Sequence, residues 1–145
     1  MRDLETIRLA LTAAETGHLV LATLHTSSAS QSVDRIIDVF PAAEKSMVRF
    51  MLAESLRAVV SQTLIKKNGG GRVAALEVMI ATPAVKNLIR EEKISQLYST
   101  MQLSREEGMQ TLEQHLEELV KSGIVSPEKA SARALNRKAL RLNGD

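Results

Sequence analysis

The side chains best suited to chemistry are two histidines and the hydroxyl residues that follow the second of them. His18 and His25 stand at the two ends of an apolar run, and Thr26 lies directly after His25. Imidazole and hydroxyl groups can both hydrogen-bond a phosphate oxygen. In an extended chain, which rises about 3.3 Å per residue, the histidines would lie roughly 23 Å apart on opposite faces. One metal ion therefore cannot bind both, and His25 is the candidate ligand contact, although a purely structural role for it stays open.

The elements around these residues indicate an α/β fold. A stripe of apolar residues predicts an amphipathic helix over residues 3–16 that ends at Gly17, and its members are Leu4, Ile7, Leu11 and Ala14. The run at residues 19–24 predicts a buried parallel strand, and Ser27 or Ser28 would N-cap the next helix. Ligands usually bind beyond the carboxyl ends of such strands, so residues 23–28 are the predicted site. A helix that begins at residue 3 should follow a strand, so we expect either an unusual start or a missing N-terminal part of a larger domain.

The remaining sequence predicts another helix, a hairpin and a helical C-terminal part. Residues 44–60 show an apolar helical face, and residues 62–67 and 72–81 flank three consecutive glycines, which is typical of a β-hairpin. Thr82-Pro83 is a helix start, and Ser104-Arg105-Glu106-Glu107 has the form of a capping box for a helix running on from Met109. Ser126-Pro127 opens a last helix to about residue 135. We predict a core part at 1–81, a helical subdomain at 82–135 and a basic, disordered tail at 136–145.

Composition excludes several classes of function. The sequence has no cysteine, which rules out disulfides and thiolate metal sites. A net charge of +2 and an aromatic content of 2% argue against a nucleic-acid surface. No apolar stretch approaches the length of a spanning helix and no signal peptide is apparent, so we expect a soluble, cytoplasmic protein. A P-loop motif and a nucleophile elbow are both missing, and His115 reads as a solvated or boundary residue.

Several motifs resemble the secretion ATPase superfamily, and more closely its type IV pilus retraction ATPases. The similarity runs from Met1 to about Leu135. The matching stretches are Met1-Arg2-Asp3-Leu4-Glu5-Thr6-Ile7, Thr16-Gly17-His18, Ala22-Thr23-Leu24-His25-Thr26, Ala84-Val85-Lys86-Asn87-Leu88-Ile89-Arg90-Glu91 and Gly108-Met109-Gln110-Thr111.

The resemblance implies an α/β fold that is the C-terminal part of a RecA-like P-loop ATPase domain, with a partial sheet and a β-hairpin, followed by a helical C-terminal subdomain. The parent would be a hexameric ATPase that uses ATP and Mg²⁺ to power pilus retraction and twitching motility. It would lie in the cytoplasm, at the inner membrane, with the pilus platform protein as its partner and no nucleic acid. His25, with Thr26, would approach and sense the γ-phosphate, and His18 would couple the site to neighbouring elements. Residues 84–91 would be the retraction and partner motif.

The sequence also departs from the pattern of that family. The Walker A loop and the Walker B glutamate are not in this chain, so we expect the 145 residues alone neither to hydrolyse ATP nor to bind ATP or Mg²⁺ tightly, and we expect no metal site. The lack of cysteines favours the retraction branch over assembly ATPases, which usually carry a four-cysteine zinc element. Lys86 replaces the arginine of the family motif and loses its bidentate geometry. A type II secretion or pilus-extension ATPase and a stand-alone interaction module remain as alternatives, and residues 84–91 could equally be a surface helix docked by Val85, Leu88 and Ile89.

Overall fold

A computed structural model describes residues 3–142 of the chain. These residues form seven α-helices, two short 3-10 helices at Ile94–Gln96 and Arg105–Glu107, and one antiparallel hairpin. The helices are α1 (Leu4–Glu15), α2 (Ala29–Asp38), α3 (Ala42–Ser55), α4 (Pro83–Arg90), α5 (Leu97–Leu103), α6 (Leu112–Lys121) and α7 (Pro127–Ser131), and the strands are β1 (Ala58–Lys66) and β2 (Arg72–Ile80). Among them, no helix combines the length and the apolar character needed to cross a bilayer.

The first helix confirms its prediction. The Asp3 side chain N-caps α1 by accepting the backbone N–H of Thr6 at 2.8 Å. Ile7 and Leu11 are buried on its inner face, as their spacing predicts. The helix ends at Thr16, and Gly17 follows with a φ of 94°, a conformation that costs glycine little.

The predicted strand at residues 19–24 is not formed in this structure. Residues 18–26 adopt no regular secondary structure, and Leu19 and Leu21 are 82% and 88% exposed. A strand needs a neighbour for its N–H and C=O groups, and the only two strands within residues 3–142 pair with each other. The prediction of a buried strand is therefore wrong for residues 19–24, since an apolar run supplies the propensity but not the partner.

The hairpin begins earlier along the chain than its sequence indicates. We predicted helix to residue 60, but α3 ends at Ser55 and β1 starts at Ala58. The strands pair over their full lengths, from Ala58 opposite Ile80 to Lys66 opposite Arg72. The backbone N–H and C=O groups of residues 58–60 therefore bond across the hairpin instead of within a longer α3. The β-branched side chains of Val59 and Val60 favour this strand conformation. The glycine turn at residues 69–71 is confirmed, with a positive φ at all three positions.

The capping box lies seven residues later than predicted, at Thr111 instead of Ser104. Ser104 makes no side-chain cap, and its neighbours form a 3-10 turn that ends at Gly108 with a φ of 86°. Thr111 is the true N-cap of α6 and exchanges side-chain and backbone bonds with Gln114. A bridge between Gln110 and Val78 holds the preceding backbone against β2, so the helix cannot start at Met109.

Two apolar clusters hold these elements together. The first joins α1–α5 to the end of β2, with Ile7, Val33, Leu52, Met79 and Ile89 among its buried members. The second packs α6 and α7 on the hairpin, and its buried members are Ile65, Ala75, Leu112, Leu116, Leu119, Val125 and Ala130. Elements before and after Thr82 contribute to both clusters, and the domain boundary near that residue stays a prediction.

Candidate functional site

His18 is fixed to the end of the first helix. Its backbone N–H donates to the carbonyl of Ala13 at 3.1 Å, and its Nδ1 lies 3.1 Å from Thr16 Oγ1 and 3.3 Å from the same carbonyl. With the proton on Nδ1, the ring can donate to either oxygen. These contacts of His18 therefore fix where the chain leaves α1.

The other end of the segment is held by hydroxyl groups at the start of α2. Thr26 Oγ1 lies 2.6 Å from Ser32 Oγ, and Ser32 Oγ donates to the carbonyl of Ser28 at 2.9 Å. Ser28 N-caps α2 by accepting the N–H of Gln31 at 3.2 Å. His25 stands just before this network with an exposed side chain. A displacement of residues 25–26 would consequently be passed directly to the first turn of α2.

Glu77 is a buried carboxylate that sequence reasoning missed. It is only 2% exposed, and its Oε1 accepts the N–H of Ala29, the first residue of α2, at 2.7 Å. The carboxylate also accepts the N–H of Leu112, the first residue of α6. Burial raises the pKa of Glu77, and the nearby charge of Glu113 raises it further, while the two backbone donors act in the opposite direction. One side chain on β2 thus joins the N-terminal turns of two helices, where negative charge is favourable.

Glu113 makes a similar connection to the end of the described chain. It is 1% exposed, and its Oε1 accepts the N–H groups of Leu135 and Asn136 at 2.9 and 2.8 Å. Its Oε2 accepts the hydroxyl of Tyr98 at 3.0 Å. Burial and the charge of Glu113 raise the pKa of Tyr98 to about 12.

The predicted basic tail begins at this anchor. Within its described part, residues 136–142, the backbone N–H of Arg141 donates to Glu117 Oε1 at 2.7 Å, and Leu140 and Leu142 pack against the second apolar cluster. Its last three residues, 143–145, lie outside the described residues.

The predicted partner motif, residues 84–91, lies on α4 and includes the C-cap residue Glu91. Thr82 N-caps this helix, and Val85 and Ile89 are fully buried. On its polar side, Lys86 Nζ donates to the carbonyl of Glu54 at 3.1 Å, and Arg90 forms an ion pair with the Glu54 side chain. Both cations of α4 are therefore engaged by the end of α3.

The remaining polar residues of this motif bond to neighbours close in sequence. Asn87 Nδ2 donates to Glu91 Oε1 at 3.1 Å, and Glu91 forms an ion pair with Lys93 at 2.6 Å. Lys86 bonds a single carbonyl, so the contact it makes here does not need the guanidinium fork that the substitution removes.

His115 is half-buried and links α6 to the hairpin. Its Nδ1 accepts the N–H of Leu76 at 2.9 Å, which assigns the proton of the neutral ring to Nε2. Gln110 Nε2 lies 3.2 Å from the same nitrogen and donates to the carbonyl of Leu76 at 3.1 Å. This histidine has a structural role and lies apart from the hydroxyl network of α2.

Across residues 3–142, no group of three or more histidine, aspartate or glutamate side chains is arranged to hold a metal ion. The two most buried carboxylates, Glu77 and Glu113, already accept backbone N–H groups. Of the residues predicted to contact phosphate, His25 has an exposed side chain and the Thr26 hydroxyl is bonded to Ser32.

Three comparisons relate the chain to known proteins. Residues 1–69 match the family model of the Type II/IV secretion system protein. The Type IV pilus retractation ATPase PilT of Pseudomonas aeruginosa is 65% identical over 134 residues, which is 92% of this chain and 39% of that protein. A twitching motility protein of Neisseria gonorrhoeae is 60% identical over 141 residues, which is 97% of this chain and 38% of that protein.

The fold agrees with these sequence matches. The crystal structure of the pilus retraction motor PilT with bound ADP has a TM-score of 0.88 and 46% sequence identity, and the match covers 97% of this chain and 39% of that one. This match confirms the predicted α/β class, as part of an ATPase domain. The chain spans about two fifths of the length of the relatives it matches. Over nearly all of its own length, this protein is a homologue of the type IV pilus retraction ATPases.

Proposed function

We propose that the chain acts as part of an ATPase motor that powers type IV pilus retraction. The observation that carries the proposal is the 65% identity, over 92% of the chain, with a pilus retraction ATPase. The match in fold to a retraction motor with bound ADP supports a nucleotide as the ligand. The working motor would be a hexamer that hydrolyses ATP in the cytoplasm and contacts the pilus platform protein at the inner membrane.

In this motor, His25 would sense the terminal phosphate of ATP and Thr26 would support it. The imidazole is exposed, and the Thr26 hydroxyl is bonded to Ser32 on α2. A hydrogen bond that exists only while the γ-phosphate is present would favour one position of residues 25–26 over another. At the opposite end of the segment, the bonds of His18 to the end of α1 would keep that end in place while residues 25–26 move.

Motion of α2 would reach the C-terminal helices through Glu77. This carboxylate bonds the first residue of α2 and the first residue of α6, so the two N-terminal turns cannot separate without losing a bond to it. A carboxylate left without those donors inside the protein would be costly, which makes the link stiff. We infer that Glu77 positions the helices and takes no direct part in hydrolysis.

The helix α4 would then be the element that acts on the partner. Val85 and Ile89 on its apolar side are buried, and its two cations are bonded to Glu54 at the end of α3. Rearrangement of the α3 end would release Lys86 and Arg90 together, because one residue engages both. Retraction would in this way depend on contacts that the motor itself makes and breaks.

Mg²⁺ would accompany ATP in the assembled motor, where it would neutralise phosphate charge. The carboxylates buried here are bonded to backbone donors, so these residues do not fit a magnesium site of their own and we assign no step to the metal. The sequence also contains no G-x-x-x-x-G-K-[ST] loop. The 145-residue chain alone is therefore expected to show no ATP hydrolysis.

A chimaera tests the sensing role. The matching part of Pseudomonas aeruginosa PilT would be replaced by this chain, and ATP hydrolysis by the purified chimaera would be compared with that of its His25→Ala variant. Loss of a hydrogen bond to a charged reacting group lowers rates by roughly a hundredfold or more, so we expect a loss of that order with nucleotide binding retained. The control is Glu106→Gln, which changes an exposed side chain away from the segment and should leave hydrolysis near its original rate. Equal rates for the chimaera and its His25→Ala variant would contradict the sensing role.

A further inference from the structure

A recess beside the hairpin turn is lined by four cations. It has a volume of about 210 Å³, and Lys66, Arg72, Lys129 and Arg133 contribute to its wall together with Leu64, Ile65 and Ala132. No aspartate or glutamate is among these lining residues. The recess lies between the hairpin and α7, and none of residues 18–26 lines it.

The four cations of this recess take part in no ion pair among residues 3–142, although Glu128 lies next to Lys129 in sequence and interacts with its charge. Lys66 and Arg72 are directly opposite each other in the hairpin, and like charges at such positions repel. An anion in the recess would relieve this repulsion.

The walls of the recess are held in place by contacts that do not consume its charge. Lys129 Nζ donates to the carbonyl of Lys67 at 3.3 Å and to Asn68 Oδ1 at 3.2 Å. Asn68 in turn bonds the backbone of Gly123 and Ile124 at 3.1 and 2.8 Å. Both partners of the Lys129 ammonium are neutral oxygens, and these two bonds hold it at the wall of the recess.

We propose that this recess binds a phosphate group, carried either by an anionic lipid headgroup or by a soluble phosphate compound. Two guanidinium groups and two ammonium groups offer more donors than one carboxylate can accept, whereas a phosphate presents several charged oxygens. The volume suits a single phosphate-sized group, since pockets for whole drug-sized ligands begin near 300 Å³. Nothing in this proposal depends on the motor function above.

The test uses the 145-residue chain and two matched double variants. Arg72→Gln with Arg133→Gln removes two charges from the recess. Arg35→Gln with Arg57→Gln removes two charges from exposed positions on α2 and before β1, far from the hairpin turn. Circular dichroism would establish that all three proteins are folded, and removing Arg72 should not harm the hairpin because it relieves a like-charge pair.

Two probes separate the sources of phosphate. Inorganic phosphate would be titrated at constant ionic strength while amide NMR shifts are followed, and binding would be measured by cosedimentation with vesicles of phosphatidylcholine with and without phosphatidylglycerol. We expect shifts centred on residues 64–72 and 129–133, and a loss of affinity of roughly tenfold or more in the recess variant, since each charged hydrogen bond is a substantial contribution. The α2 and β1 control should bind like the original chain.

Each outcome decides the proposal. Specific binding of phosphate supports a soluble ligand, and binding only to vesicles with phosphatidylglycerol supports a lipid headgroup. Equal losses in both double variants would mean a general effect of net charge and would overturn it. The proposal would also be overturned if neither phosphate nor the vesicles bound. If poly-glutamate bound in their place, the recess would be assigned to an acidic protein and the proposal would be overturned as well.

Discussion

At the scale of single residues, the Glu77 carboxylate should make stability depend on pH. Burial raises its pKa above the ordinary value of 4.5. Above that value the unfolded chain releases a proton that the folded chain still holds, so the free energy of unfolding falls with rising pH until the raised pKa is passed. We expect the original chain to lose stability relative to Glu77→Gln as the pH rises from 4.5.

Denaturant titrations of both proteins at a series of pH values would measure this difference. The exposed Glu106→Gln variant is the matched control, and its difference from the original chain should not fall in this way. If the Glu77→Gln difference stayed flat or grew with pH, the inferred burial of the charge would be wrong.

Tyr98 offers a second test at the residue scale. It is the single tyrosine of a sequence without tryptophan, so the ultraviolet absorbance of tyrosinate reports this side chain alone. Burial and the bond to Glu113 raise its pKa to about 12 from an ordinary value of 10. We expect no tyrosinate signal at the ordinary pKa while circular dichroism shows a folded protein. Half-ionisation near the ordinary value in the folded state would contradict the bond to Glu113.

At the scale of elements, the start of α6 can be tested by comparing two hydroxyl residues. Thr111 caps this helix and exchanges bonds with Gln114, whereas Ser104 makes no side-chain cap. Thr111→Ala should lower the free energy of unfolding by about 1–2 kcal/mol, which is the usual cost of losing a cap. Ser104→Ala is the control and should be close to neutral in the same chemical denaturation experiment. A larger loss of stability in Ser104→Ala than in Thr111→Ala would place the capping box at Ser104, as the sequence pattern predicts.

The docking of α4 gives a second test at this scale. Ile89 is completely buried in the first cluster, so Ile89→Ala should cost roughly 2–5 kcal/mol through lost burial and the cavity left behind. Leu103→Ala removes a side chain of the same size that is 86% exposed, and it should change stability little. Thermal or denaturant unfolding would measure both variants. Similar losses at the two positions would argue against a docked α4.

The elements that could be predicted are those whose signals are local. The stripe of Ile7 and Leu11, the glycine turn and the Thr82-Pro83 start each depend on residues close in sequence, and all are formed. The strand at residues 19–24 was mispredicted because pairing requires a second strand, which no pattern inside the run can supply. Glu77 could have been noticed as a lone carboxylate in the apolar run of β2. Its partners on α2 and α6 could not have been named, since they lie far away in sequence.

At the scale of the whole molecule, the exposed side chains of Leu19 and Leu21 form an apolar surface between α1 and α2. The relatives are more than twice as long as the matched region. The apolar side chains of Leu19 and Leu21 would be buried if a neighbouring strand lay beside this segment. The chimaera with Pseudomonas aeruginosa PilT supplies such a context for residues 18–26. We therefore expect residues 19–21 to be protected from amide hydrogen exchange in the chimaera and to exchange rapidly in the 145-residue chain. Equally rapid exchange in both would show that the segment gains no strand partner there.

Twitching by Pseudomonas aeruginosa cells whose own PilT is replaced by the chimaera tests the central claim most directly. The measurement is the diameter of the twitching zone at matched protein levels. We predict zones close to those of the original strain, and their loss in the His25→Ala chimaera. A chimaera that accumulates normally and hydrolyses ATP but gives no twitching zone would contradict a role for this chain in pilus retraction.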